Sequence, residues 1–263
     1  MLKPFSVSAA VLALVATSAA AVADDAPAPA GERPNFIVIF TDDQGYGDLG
    51  CQGSKDLQTP NIDRLAEQWV RFTTWYSAAP VCSPSRSALL TGRSPQGAGV
   101  PGNVSSYPGG VGMSPAQVTI AERLKPLGYA TGLVGKWHLG SAPGSSPNEQ
   151  GFDRFFGFYA GCVDNYSHTF YWQAPHVHDL RRDGREGHED GTYLADILTR
   201  EALRFIDENR DGPFFLYFAS NMPHYPLQAP QRLVKRFQHL PPARARYAAM
   251  LAAVDETVGE LVE

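Results

Sequence analysis

The run Phe36-Ile37-Val38-Ile39-Phe40-Thr41-Asp42-Asp43-Gln44-Gly45-Tyr46-Gly47-Asp48 passes in one step from five apolar residues to a polar, glycine-bearing turn. A short unbroken apolar run rich in β-branched and aromatic side chains reads as a strand buried on both faces. Neighbouring strand residues face opposite ways, so Asp42 and Asp43 converge only where the chain leaves the sheet. Gly45 and Gly47 permit that departure. Two adjacent carboxylates at a strand end suit a hard cation, Ca²⁺ or Mg²⁺. A solvated Asp-Gly turn accounts for the same residues.

Outward from this run, three more segments carry the strand pattern: Phe72 to Ala78, Tyr129 to Val134 and Phe214 to Ala219. Helical periodicity falls at Ile62 to Val70, Val118 to Leu127, Leu194 to Ile206 and Ala243 to Val262. Alternating strands and helices predict an α/β domain of three layers with a mostly parallel central sheet. In such sheets ligands bind beyond the carboxyl ends of the strands. Residues 141 to 192 lose this periodicity to Gly, Pro, Asp and aromatic residues, and read as a long loop wall of the kind that selects substrates.

Residues 1 to 23 have the form of a cleavable export signal: Lys3, an Ala-rich apolar stretch around Val11 to Val15, and Ala21-Val22-Ala23 before Asp24. The expected location is the periplasm or the exterior. Residues 24 to 33 form an Ala/Pro tether, and 34 to 263 the folded domain. No later stretch is apolar enough to anchor the chain in a membrane. With 22 Lys and Arg against 27 Asp and Glu, the net charge is −5, and no basic run suggests a nucleic-acid partner. Of the three cysteines, Cys51 and Cys162 are equally compatible with a disulfide and with two free thiols.

Three further constellations stand at element ends. Cys82-Ser83-Pro84-Ser85-Arg86-Ser87-Ala88-Leu89-Leu90-Thr91-Gly92-Arg93 opens a helix, with Ser83 as expected N-cap, Pro84 as first helical residue and Gly92 as stop. Cys82 then precedes a helix N-terminus, which favours an anion, and Arg86 lies one turn in. A buried, inert cysteine is the plainer account. Gly135-Lys136-Trp137-His138-Leu139-Gly140 closes the strand from Tyr129, and alternation puts Lys136 and His138 on one face, away from Trp137. His224 follows Pro223 beyond the strand ending at Ala219. His176, His178, Asp179 and His188 could bind a second metal, but nothing in the surrounding pattern supports them.

The twelve residues from Cys82 resemble the signature of the type I, formylglycine-dependent sulfatases, Cys-x-Pro-Ser-Arg-x-x-x-x-Thr-Gly-Arg, at every specified position. Asp42-Asp43-x-Gly45-Tyr46-Gly47-Asp48, the Gly-Lys-Trp-His-Leu-Gly run and Pro223-His224 are similar to the same family, so the likeness extends from Pro34 to at least Ala229. It implies an alkaline-phosphatase-like fold and arylsulfatase-like hydrolysis of sulfate esters. It further implies that a maturation enzyme oxidises Cys82 to formylglycine, whose hydrate attacks sulfur. Asp42, Asp43 and the residue at position 82 would hold Ca²⁺ (or Mg²⁺). Arg86 would orient the hydrate, Lys136 contact the sulfate, His138 assist proton removal, and His224 face the leaving oxygen. The substrate would be a sulfated carbohydrate or an aryl sulfate.

The chain departs from the family in one respect. The Asp-Asn-Gly motif that completes the family's metal site, and the Lys after it, are not found; Asp164-Asn165 is followed by Tyr166. Together with an apolar helix running to Glu263, this leads to the expectation of a C-terminally incomplete domain that is inactive alone. Two alternatives stay open: a phosphonate or phosphate diester hydrolase of the same superfamily, and a non-enzymatic fragment that binds sulfated glycans.

Overall fold

The computed structural model describes residues 33–263. The export signal and all but the last residue of the tether lie outside the described residues. The first strand, β1 (Phe36–Phe40), is followed by α1 (Pro60–Gln68), α2 (Cys82–Thr91) and a short α3 (Ile120–Leu124). Then come β2 (Ala130–Lys136) and β3 (Arg154–Phe158), and four two-residue strands: β4 (Thr169–Phe170), β5 (Val177–His178), β6 (Arg181–Arg182) and β7 (Arg185–Glu186). The chain finishes with α4 (Leu194–Asn209), β8 (Phe214–Ala219), α5 (Gln231–Val234) and α6 (Pro242–Val262).

The main sheet runs β1-β8-β2-β3-β6-β7. The first four strands are mutually parallel, and β6 and β7 are antiparallel additions at one edge. β8 lies in the centre, with Phe36 opposite Phe215 on one side and Ala130 opposite Phe214 on the other. Its side chains divide by period two. Phe214, Leu216 and Phe218 join Val134, Phe156 and the α4 residues Leu194, Ile197 and Phe205 in one core. Phe215, Tyr217 and Ala219 join Leu133, Phe155 and Trp137 in the opposite core, capped by Leu90 of α2 and Ala121 of α3. Helices therefore cover both faces, which is the predicted three-layer arrangement. A third core packs α6 against α1 and α5.

Two of the predicted elements change. Residues 72–78 form no strand; they are irregular, and Phe72, Trp75 and Tyr76 are 68%, 73% and 76% exposed. Their composition favours a strand, but a strand exists only where it is paired, and no segment among the described residues pairs with this one. Conversely, the supposed loop wall contains β3, a full member of the parallel sheet. Gly157, at φ +155, hides it from pattern reading: a Cβ there would meet the Gly135 carbonyl oxygen at 1.9 Å, so close strand approach demands glycine.

The α2 start differs in detail. Cys82 is itself the first helical residue and Val81 the N-cap, with no side-chain cap. The Ser83 hydroxyl instead accepts from the Val104 amide, and its own amide donates to Asn103 Oδ1. Gly92 does end the helix, at φ +66. Cys51 and Cys162 are free thiols, so the disulfide left open by the sequence is not formed. No helix among the described residues is long and apolar enough to cross a membrane.

Candidate active site

The carboxyl ends of β1, β2 and β8 deliver their first polar residues to the N-terminus of α2. Asp42 follows β1 and is 4% exposed, its amide donating to the Met222 carbonyl beyond β8 at 2.9 Å. Lys136, the last residue of β2, is fully buried. Its Nζ reaches Asp42 Oδ2 at 2.6 Å and Cys82 Sγ at 3.1 Å. Arg86, one turn into α2 and 1% exposed, donates from Nη2 to Asp42 Oδ1 at 3.2 Å. Its Nη1 donates to the Lys136 carbonyl and to the Tyr217 hydroxyl, and Phe40 lies beneath the guanidinium. Arg86 thus spends its fork on holding the site together, and only its Nε is buried without a partner.

The charge balance is the decisive electrostatic feature. One carboxylate meets two cations in a buried space, leaving a net positive centre against the Cys82 sulfur. Burial alone would raise the Asp42 carboxyl, but Lys136, Arg86 and His224 outweigh it and hold the pKa at about 2. An anionic ester oxygen is the natural occupant of such a centre.

His138 sits just past β2 at φ +50, so strand alternation does not set its direction as expected. Its Nε2 lies 3.2 Å from the Val104 carbonyl, which can only accept, so Nε2 carries the hydrogen and Nδ1 keeps a bare lone pair. Nδ1 is buried and unpartnered. Burial first, and then the charges of Lys136 and Arg86, push the imidazole down to about 3, so it is a neutral acceptor at ordinary pH. Gly161 makes room for it; a Cβ there would come within 2.5 Å of the ring.

His224 Nε2 stands 3.6 Å from Asp43 Oδ2, and its Nδ1 is 2.7 Å from the Tyr225 carbonyl. All seven predicted site residues therefore gather at one end of the sheet. Cys82 separates two cavities. One of about 380 Å³ is lined by Asp42, Asp43, Arg86, Trp75 and Tyr76. The other, about 400 Å³, is lined by Asn103, Tyr107, His138, Trp172, Gln173 and His224. Sequence reasoning missed Tyr217, which props Arg86, and Asn103, which fixes the start of α2. Tyr217 reads as one more core aromatic in an apolar strand, and Asn103 as an ordinary loop residue.

Asp42, Cys82 and His224 bring potential ligand atoms within 4.8 Å of one another. Ca²⁺ asks for roughly six to eight oxygens. Among the described residues the carboxylates at hand are Asp42, whose two oxygens already bind Arg86 and Lys136, and the more exposed Asp43. These two fit one corner of a Ca²⁺ site and do not make a cage. Asp164 and Asn165 take no part: Asp164 Oδ1 accepts from the Tyr166 and Ser167 amides, and Asn165 binds Asn221 and Gln228.

A mostly parallel sheet between helical layers, whose strand ends gather a buried cationic cluster around a helix-opening cysteine, is an alkaline-phosphatase-like fold. The model of the sulfatase family matches residues 34–263, and the chain belongs to that family. It is 34% identical to the mouse N-acetylgalactosamine-6-sulfatase, covering 95% of this chain and 50% of that protein. It is 35% identical to the arylsulfatase of Klebsiella aerogenes, over 86% of this chain and 50% of the relative. The crystal structure of Ps i-CgsB superposes with a TM-score of 0.82 at 39% identity, covering 88% of this chain and 54% of that one. The chain thus spans about half the length of the relatives it matches.

Proposed function

We propose that this chain supplies the nucleophile-bearing part of a sulfate-ester hydrolase acting on a sulfated carbohydrate. The observation that carries the reading is the Lys136 ammonium, fully buried and held between Asp42 and Cys82 with Arg86 behind it. A buried cation in contact with the reactive position pulls an anionic ester toward that position and offsets charge as the bond to sulfur forms.

Cys82, converted to formylglycine by a separate maturation enzyme and hydrated, supplies an oxygen nucleophile where the thiol stands now. Asp42 and Asp43 would contribute carboxylate oxygens to a Ca²⁺ ion, which when bound would supply positive charge to balance the sulfate oxygens. Lys136 binds the ester anion. Arg86 keeps Asp42 ionised and aligned. Burial first, and then the Lys136 and Arg86 cations, hold the basicity of His138 down; a bound anion offsets the cations, and the bare Nδ1 then accepts a proton. His224 borders the second cavity, and with its Nδ1 hydrogen committed to the Tyr225 carbonyl it donates to a leaving oxygen only as the imidazolium, from Nε2.

A carbohydrate is preferred over a small aryl group because of the cavity beside Cys82, where Trp172 is 63% exposed next to Gln173 and Tyr107. An exposed aromatic flanked by hydrogen-bonding side chains suits a sugar ring. Ps i-CgsB was also solved in complex with k-i-k-neocarrahexaose, and another similar structure with D-glucosamine-2-N,6-O-disulfate. The phosphonate-diester alternative draws no support from the relatives above 30% identity, which are named as sulfatases. The signal at residues 1 to 23 supports export.

The test uses the full-length protein co-expressed with a formylglycine-generating enzyme. Peptide mass spectrometry and an aldehyde-reactive probe should find the modification at position 82, with turnover of sulfated saccharides exceeding that of aryl phosphodiesters. An unmodified thiol despite a competent maturase, or a preference for the phosphodiester, overturns the reading.

A further inference from the structure

Residues 141 to 192 contain a second cluster of ionisable groups that the sulfate-ester reading does not use. We propose that His168, His178 and Asp190 bind a zinc ion, with His188 as its exposed fourth ligand. His176 and Asp179, grouped with these histidines by sequence proximity, are not part of it. Asp179 instead accepts from the Tyr159 and Ala160 amides and pairs with Arg181.

The backbone brings the residues together. β4 pairs with β5 so that Thr169 faces His178, which sets His168 beside the same hairpin. The Gly191 amide donates to the Tyr166 carbonyl at 2.8 Å and folds the 187–192 loop back over it, carrying His188 and Asp190. One ligand atom each from His168, His178 and Asp190 then lies within 4.8 Å of the others. The His178 and His188 rings stack at 4.8 Å between centroids, and His188 Nδ1 is 3.9 Å from Asp190 Oδ2.

The protonation pattern points to a metal. His168 is fully buried, and its Nε2 faces the Thr192 carbonyl at 3.2 Å. A carbonyl only accepts, so Nε2 holds the hydrogen and Nδ1 is left with a bare lone pair, buried and without a partner. His178 Nδ1 lies 3.0 Å from Glu186 Oε1, which likewise fixes the hydrogen there. Its Nε2 is buried, has no hydrogen-bond partner, and stands 3.6 Å from Asp190 Oδ1. Each imidazole thus has its N–H tied to an outer oxygen and its lone pair free, the arrangement that orients metal-bound histidines.

The rival occupant is a proton. A His178 imidazolium could serve both Glu186 and Asp190, but it would leave Nδ1 of His168 bare. A metal satisfies all three donors together. Imidazole nitrogens with a single carboxylate suit zinc and disfavour the all-oxygen cations Ca²⁺ and Mg²⁺. Zinc needs its donors at about 2.0–2.2 Å, so the cluster must contract. The exposed members, Asp190 and His188, at 53% and 66%, are free to move inward. Four protein ligands would close the site and make it structural. It would clamp the hairpin whose Phe170, with the adjoining Trp172, lines the cavity beside Cys82.

The test is calorimetric titration of Zn²⁺ into the chelator-stripped protein in the presence of excess Ca²⁺, repeated in a Cys82→Ala background to remove any thiol-dependent binding. One Zn²⁺ per chain should bind, survive Cys82→Ala, and weaken about 100-fold in Asp190→Asn and again in the double variant with His188→Gln. Both positions are exposed, so circular dichroism and melting of the metal-free variants should match the parent. His168→Gln should abolish binding, with Co²⁺ in the parent giving the visible absorption of a four-coordinate nitrogen and oxygen site. Three results would each overturn the proposal: no Zn²⁺ bound, binding that disappears with Cys82→Ala, or affinity indifferent to Asp190→Asn and His188→Gln.

Discussion

The centre around Cys82 and the histidine cluster of the loop wall are built from the same kinds of group with opposite electrostatic results. At Cys82 one buried carboxylate faces two buried cations, so the surplus is positive and the open position invites an anion. At His178 two carboxylates and bare imidazole lone pairs face no fixed cation among the described residues, so the surplus is negative and invites a metal. The supporting structure differs as well. The first cluster stands on the ends of parallel strands and the start of a helix, where Asp42, Arg86 and Lys136 are buried. The second stands on two-residue strands and a loop, and its outer members are exposed. Rigid elements let a protein bury like charges close together. A loop needs a ligand to do the same.

The largest effect should come from inverting the first balance. Lys136→Met leaves Asp42 with Arg86 alone and removes the cation touching position 82. Loss of one preorganised charge typically costs ~10²–10³ in rate, and Lys136 makes two such contacts, so kcat/KM should fall about 10³-fold or more. Breaking a buried pair should also cost stability, on the order of 3 kcal/mol. Steady-state kinetics with the matured full-length protein, together with chemical denaturation, check both. Zinc stoichiometry should stay unchanged, and a variant that lost both functions would show that the two clusters are not independent.

A pH experiment sharpens the contrast next. The His138 imidazole is lowered from 6.5 to about 3 in the folded protein. Between those values the unfolded chain binds a proton that the folded chain refuses. Stability is therefore complete above pH 6.5 and falls as the medium is acidified, by about 1.4 kcal/mol per pH unit for this one group. His138→Gln should flatten that slope by about one proton between pH 6 and 4. An unchanged slope would mean that His138 is not held neutral. Asp42 works in a lower window: with its pKa at about 2 against 3.8, its contribution holds above pH 3.8 and is lost only as pH falls toward 2.

How much of this was legible depended on whether the signal was local. β1 and β8 are unbroken apolar runs, and Asp42, Lys136 and His224 follow strand ends closely enough for topology to gather them. The Cys82 run carries its own helix start and its Gly92 stop. The Phe72–Ala78 segment misled because composition reports the fitness of a strand and says nothing of a partner. β3 was hidden by Gly157, whose absence of a side chain matters only against Gly135 of β2. His168 gave no signal at all. Its place beside His178 is set by a hairpin two residues long, too short to leave a pattern, and by a carbonyl, Thr192, that every residue type could have supplied.

The smallest expected effect belongs to the cavity wall that joins the two regions. Trp172 is 63% exposed and lines the space beside Cys82 without touching the charged centre. Its ring can stack on a sugar, an interaction worth ~0.5–1.5 kcal/mol, or about a two- to tenfold change in binding. That contact exists equally before and during bond breaking, so it is uniform binding and belongs in KM. Trp172→Ala should therefore raise KM for a sulfated oligosaccharide two- to tenfold, leave kcat within about twofold, and scarcely affect a small aryl sulfate that never reaches the ring. The split between the two substrates is the informative measurement. Equal losses on both would place Trp172 in support of the Cys82 centre. A loss on the oligosaccharide alone would identify the wall carrying β4 as the part of the molecule that reads the sugar.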